Sequence, residues 1–151
     1  MDWPHGKDLR RGRYSEPGRL YLLTSITLDR APHFTDLRLA RLLINQMRIV
    51  EAERIARSLA WVVMPDHFHW LVELGDSDLK TLMSRVKSRS TRSINGYQHR
   101  SGRLWQHGFH DRALRREENV REVARYIVMN PVRAGLVARV RDYPHWDAIW
   151  L

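Results

Sequence analysis

Two histidines one residue apart, His67 and His69 in "PDHFHWLVEL", and a tyrosine downstream, Tyr126 in "ARYIVMNP", are the side chains best suited to chemistry in this sequence. On a strand, side chains alternate between faces, so His67, His69, Leu71 and Glu73 share one face while Phe68, Trp70, Val72 and Leu74 form an apolar other face. A rise of about 3.3 Å per residue puts the two histidines roughly 6–7 Å apart at Cα, close enough for two ring nitrogens to converge on one cation. Half-buried histidines bonded to backbone or carboxylate would give the same pattern, and for a His-x-His pair taken alone that is the commoner case. Two imidazoles with an amide or carboxylate and water would suit Mg²⁺, Mn²⁺ or another divalent ion. Tyr126 and Asn130 stand four apart on an expected helix and can point into one cleft. Each also has an ordinary reading: a packing tyrosine with its hydroxyl in water, and an asparagine that ends a helix before Pro131.

The elements that must carry these residues can be read from periodicity. "LYLLTSITL", Leu20 to Leu28, is rich in β-branched and aliphatic residues and predicts a first strand. Thr35 or Asp36 caps a helix expected to run to about Ser58, with Leu39, Leu43, Met47 and Val50 as its apolar stripe. "LAWVVM", a Pro65-Asp66 turn and "HFHWLVEL" form a hairpin. A second helix is expected from Asp76 to about Ile94, with Leu79, Leu82, Met83 and Val86 inward and Arg85, Arg89 and Arg92 together on the other side. "GRLWQHGFHDRALR" suggests two brief strands around Gly108. A third helix, Glu117 to Asn130, buries Val120, Val123, Ala124 and Ile127 and carries Asn119, Tyr126 and Asn130 along its border. The order β-α-β-β-α-β(β)-α predicts an α+β domain with helices over an antiparallel sheet. It reads as a basic arm over residues 1–19, a single domain over 20–142 and a Trp-rich tail over 143–151.

The chain has 151 residues, enough for one domain, and 26 Lys and Arg against 17 Asp and Glu give a formal charge of +9. That excess favours a polyanionic partner, with nucleic acid ahead of an anionic membrane surface. Most of the cations are arginines, whose planar forks suit phosphates and base edges. There is no cysteine, which excludes disulfides and thiolate metal sites. Neither a signal peptide nor a stretch of transmembrane length is evident. A cytoplasmic protein, associated with the nucleoid when bound to DNA, is therefore expected.

Taken in order, "PDHFH", "LWQHGFHDRALR" and "ARYIVMNPVRAGLV" closely resemble the REP-associated tyrosine transposases. These are relatives of the single-tyrosine insertion-sequence transposases in the HUH endonuclease superfamily. The likeness runs from about Arg13 to the end. It implies a ferredoxin-like antiparallel sheet, with histidines on a central strand and the tyrosine on a facing helix. His67 and His69 match the metal-binding pair, Tyr126 matches the nucleophile, and Asn130 stands where relatives carry a polar residue that helps hold the metal. The implied reaction is attack of the Tyr126 oxygen on a single-stranded phosphodiester beside a bound divalent ion, giving a 5′-phosphotyrosine and a free 3′-hydroxyl. A second 3′-hydroxyl can reverse it without a nucleotide cofactor. The implied substrate is single-stranded REP-type hairpin DNA. A monomer is implied, with the dimers of the insertion-sequence relatives as the alternative.

For DNA binding, Arg11, Arg13 and Tyr14 lie in a basic arm able to reach a groove or stack on unpaired bases. The stripe of Arg85, Arg89 and Arg92 could track phosphates or form a solvated helix face. By the resemblance, His110 and Arg112 lie near the active site, and Arg115 adds charge to the same segment. The competing function is a non-catalytic, sequence-specific single-stranded DNA-binding protein. The tail is expected to pack as an aromatic strap.

Overall fold

The computed structural model describes residues 16–115 and 118–150. Arg11, Arg13 and Tyr14 lie outside them. Five strands, β1 Leu20–Ile26, β2 Ala56–Met64, β3 His67–Leu74, β4 His110–Ala113 and β5 Trp146–Ala148, form one antiparallel sheet in the order β4-β1-β3-β2-β5. Its first four strands and the two helices between them make the expected ferredoxin-like βαββαβ unit, and β5 extends the sheet beyond β2.

The sheet is covered on both sides because both faces of β3 are apolar along part of their length. Helix α1, Leu37–Ala52, and helix α2, Leu79–Gln98, bury Leu43, Met47, Leu82 and Val86 against Phe68, Trp70, Val72 and Leu74. Helix α3, Val120–Val128, packs Ala124, Ile127 and Val128 on Leu71, Val62 and Met64, which belong to the face that carries the histidines. Each Val, Leu, Ile, Phe or Met among them contributes roughly 1.5–3 kcal/mol on full burial. The indole of buried Trp70 donates to Ser58 Oγ at 2.6 Å, so its polar edge is satisfied. No helix among the described residues is long and apolar enough to cross a membrane.

Several boundaries differ from those expected. Strand β1 ends at Ile26, and Leu28 begins a 3₁₀ turn. Helix α1 is capped by Asp36, whose side chain accepts from the Arg38 amide, but it stops at Ala52. Arg54 adopts φ 61, and Gly75 comes so close to the Arg54 carbonyl that a Cβ would lie 2.2 Å from its oxygen. Ala56 is thereby free to pair with Leu74. Helix α2 is capped by Asp78 and runs on to Gln98. Around Gly108 there is one strand, β4, preceded only by a bridge between Trp105 and Thr27. Asn119 caps α3 rather than bordering its interior, and Pro131 sits in the first turn of a short new helix, α4, Asn130–Arg133. Proline is suited to a first turn because the amide it lacks would have no partner there.

The tail joins the sheet: Val62 pairs with Trp146, and Tyr143 donates to the Val63 carbonyl at 2.6 Å. Burial pushes the Tyr143 hydroxyl up to about 12. An unfolded tyrosine ionises near 10, so between about 10 and 12 the unfolded chain binds fewer protons and stability falls as pH rises. Urea unfolding of Tyr143→Phe at several pH values is expected to show a loss of about 1 kcal/mol at pH 7. The alkaline decline should be shallower than in the wild type. An unchanged decline would assign it to other groups.

Candidate active site

Strand register brings the site together. His110, Thr24, His69, Val62 and Trp146 form one row across all five strands, and Arg112, Leu22, Leu71, Ala60 and Ala148 form the next row on the same face. His69 is thus at the centre of the sheet. His110, exposed at the β4 edge, lies two strands away, about 10 Å at a strand spacing of about 4.8 Å.

Both histidines use Nδ1 inward. His69 Nδ1 lies 2.7 Å from Thr24 Oγ1, and His67 Nδ1 lies 2.7 Å from Asp66 Oδ1. Asp66 is in turn anchored by Arg30 at 3.2 Å. Asp66 is held below the usual carboxylate range: burial would raise it, but the hydrogen bonds and charges of His67 and Arg30 prevail. The Arg30 turn is fastened to the hairpin by Thr27, whose amide and hydroxyl both donate to the Asp66 carbonyl at 2.9 and 3.1 Å. The two rings meet edge to face with centroids 4.9 Å apart. Burial first, then the charges of His67 and Arg133, lower His69 to about 4, so its imidazole is neutral at pH 7.

With Nδ1 of each ring committed, Nε2 of each is left for a ligand. An imidazole fixed through its other nitrogen is what a metal-binding histidine requires. No cluster of three or more His, Cys, Asp or Glu suited to a metal occurs among the described residues. Two imidazoles alone would suit an ion that takes two protein nitrogens and fills its remaining positions with amide, water or substrate oxygen.

Tyr126 is 63% exposed, on the α3 side of the histidine-bearing face and clear of the core. Arg133 lies over its ring, 3.8 Å from guanidinium carbon to centroid, and donates from Nη2 to Asn130 Oδ1 at 2.8 Å. The same arginine acts electrostatically on His69. Arg133 therefore relates Tyr126, Asn130 and His69 to one another, although it was not among the residues picked from the sequence. Its signal was its place in the "NPVR" run, seven residues after Tyr126.

The remaining basic residues are divided. Arg112 shares the histidine face but pairs with Glu118 at 3.1 Å, and Glu118 also accepts from the Arg115 amide at 2.9 Å. Arg85, Arg89 and Arg92 lie on α2, across the sheet from the histidines. There Arg89 is clamped on Glu53 through two bonds of 2.7 and 3.1 Å, and Arg85 is 3.9 Å from the same carboxylate. The stripe is therefore a helix-layer surface, partly neutralised, on the opposite side of the sheet from the histidines.

The chain is similar to known proteins in sequence and in fold. The family described as "Transposase IS200 like" matches residues 20–130. A REP-associated tyrosine transposase of Escherichia coli K12 is 33% identical over 97 residues, covering 63% of this chain and 56% of the relative, a little over half its length. A Haemophilus influenzae protein, named as a candidate member of the same group, is 28% identical over 144 residues, 85% of this chain and 78% of that one. A solved REP-associated tyrosine transposase, described as bound to a REP hairpin, superposes with a TM-score of 0.76 at 27% identity, covering 89% of this chain and 79% of its own. With the fold, the histidine row and a family match over most of its length, the chain belongs to the IS200-like transposases and within them is similar to the REP-associated tyrosine transposases.

Proposed function

We propose that this protein is a metal-dependent single-strand DNA endonuclease and strand transferase that acts on REP-type hairpin DNA through a 5′-phosphotyrosine on Tyr126. The observation that carries this reading is the placement of Arg133 against Tyr126 and Asn130, at the end of the helix that packs on the histidine-bearing face. A solved relative described as bound to a REP hairpin supports the choice of DNA.

Tyr126 is open to a phosphodiester. Its oxygen attacks phosphorus, the Oη–P bond forms and the P–O3′ bond breaks. In net terms the phenolic proton ends on the departing 3′-oxygen. The Arg133 guanidinium over the ring stabilises the negative charge that develops on the phenolic oxygen during attack. Religation is the same exchange in reverse, with a 3′-hydroxyl as the attacking group. His67 and His69 would hold a divalent ion, Mg²⁺ or Mn²⁺, which when bound supplies Lewis-acid polarisation of the scissile phosphate. Asn130 can join them only with an Oδ1 lone pair not taken by Arg133. One chain carries both histidines and the tyrosine, so the reading requires no second copy.

The test is incubation with labelled single-stranded REP hairpin DNA and Mg²⁺ or Mn²⁺, followed by denaturing electrophoresis. A protein–DNA adduct is expected. Cleavage without an adduct would favour direct hydrolysis, and binding without cleavage would favour the non-catalytic DNA-binding reading. Arg133→Ala is expected to slow adduct formation about 100-fold at saturating DNA, the scale seen when one preorganised electrostatic donor is removed. Arg133→Lys should recover only part of that, because lysine lacks the planar group that stacks on the ring.

A further inference from the structure

Helix α2 has a second polar stripe besides its arginines. Lys80, Ser84, Lys87 and Thr91 recur at i, i+4, i+7 and i+11, so at about 100° per residue they lie together, roughly 140° round the helix from Arg85. This stripe faces residues 103–109, and a cavity of about 610 Å³ separates the two. Phe109, backed by the buried Met83 and Trp105, gives it an apolar wall, Lys80 and Arg103 stand at its rim, and no carboxylate among the described residues lines it. The wall is built into the fold. Trp105, 2% exposed, donates from its indole to Ser90 at 3.1 Å and packs against Phe34 and Phe68. Lys87 holds the loop by donating to the carbonyls of Gln106, at 2.8 Å, and Gly108. Gly108 turns the loop with φ 71.

The chain leaves this cavity directly into β4, the edge strand, whose His110 and Arg112 point to the histidine face. A single strand crossing the β4 edge can therefore touch both sides of the sheet. An apolar aromatic wall under a cationic rim suits a nucleobase that still carries its phosphate. We propose that the cavity between α2 and residues 103–109 is a second DNA subsite that takes one unpaired nucleotide, its base against Phe109 and its phosphate at Lys80 and Arg103. This rests on the reading of the protein as a DNA transferase and adds a contact remote from the cleaving residues.

The experiment measures binding of fluorescent single-stranded hairpin DNA by anisotropy, using substrates made abasic at one unpaired position at a time. The proteins are the wild type, the Lys80→Ala/Arg103→Ala double variant and Ser84→Trp, which fills the cavity from an exposed position. Melting temperatures check folding. One abasic position is expected to weaken wild-type binding about tenfold, within the range for loss of one stacked base. Ser84→Trp should lose a similar factor with intact DNA and nothing further at that abasic position. The double variant should also bind about tenfold more weakly, with a shallower salt dependence. All variants should form the Tyr126 adduct at the wild-type rate once saturated. Variants that bind like a wild type active in adduct formation overturn the subsite alone. Loss of affinity that couples to no single position also overturns it, since the cations then act as a diffuse field. A wild type that binds no such DNA overturns the DNA reading itself.

Discussion

Tyr126→Phe is expected to bind hairpin DNA as the wild type does and to form no covalent adduct, with strand cleavage reduced by roughly 10³-fold or more, as when a covalent nucleophile is removed. Phenylalanine keeps the ring that Arg133 covers at 3.8 Å, so the substitution removes only the attacking oxygen. The side chain is 63% exposed, and a surface change of this kind should alter stability by less than about 0.5 kcal/mol. Binding and melting temperature then serve as controls that the loss must leave untouched. Tyr97 is the other exposed tyrosine among the described residues, but its hydroxyl accepts from Arg38 at 2.8 Å on the helix layer across the sheet from the histidines. An adduct that survives Tyr126→Phe and disappears in Tyr97→Phe would move the nucleophile there and dismantle the proposed site.

The histidine face was legible in the sequence because alternation is a local property: Phe68 and Trp70 declare one face, and His67 and His69 must take the other. The inward stripes of α1 and α2 were legible for the same reason. What could not be read depended on partners distant in the chain. Helix α1 ends early because Ala56 pairs with Leu74 and Gly75 fits against Arg54. The tail becomes a strand because β2 offers it an edge. The Arg85, Arg89 and Arg92 stripe has the expected angular position, but Glu53, at the C-cap of α1, decides that Arg89 is a clamp. Arg133 was missed through a proline. Read as a helix stop, Pro131 cuts Arg133 off from Tyr126, and even one continuous helix would separate the two by seven residues of rise, about 10 Å. The chain instead restarts as α4 at Asn130, and the guanidinium reaches the ring.

His69→Ala is expected to abolish metal-dependent cleavage, a loss of roughly 10³-fold that matches the wild type treated with a chelator. His69 is the ring at the middle of the sheet, held by Thr24 through Nδ1. Its removal takes one of two nitrogens from the candidate ion site and leaves the Thr24 hydroxyl without that partner, at a folding cost of about 1–3 kcal/mol. A folded but inactive variant therefore separates metal holding from stability, and titration with Mn²⁺ should show directly that the ion no longer binds. The residues behind the ligands should give graded effects. Asp66→Asn leaves His67 in place but weakens the carboxylate that orients it and the Arg30 contact that anchors that carboxylate, so about 10–100-fold in ion affinity should be lost. Thr24→Val should act in the same range through His69. If Asp66→Asn and Thr24→Val match His69→Ala in full, the histidines are serving the fold and not an ion. If His69→Ala retains Mn²⁺-dependent cleavage, the ion is held elsewhere. The intermediate losses are expected because, in the proposed site, the two imidazoles bind the ion while Thr24 and Asp66 only decide where their Nε2 atoms point.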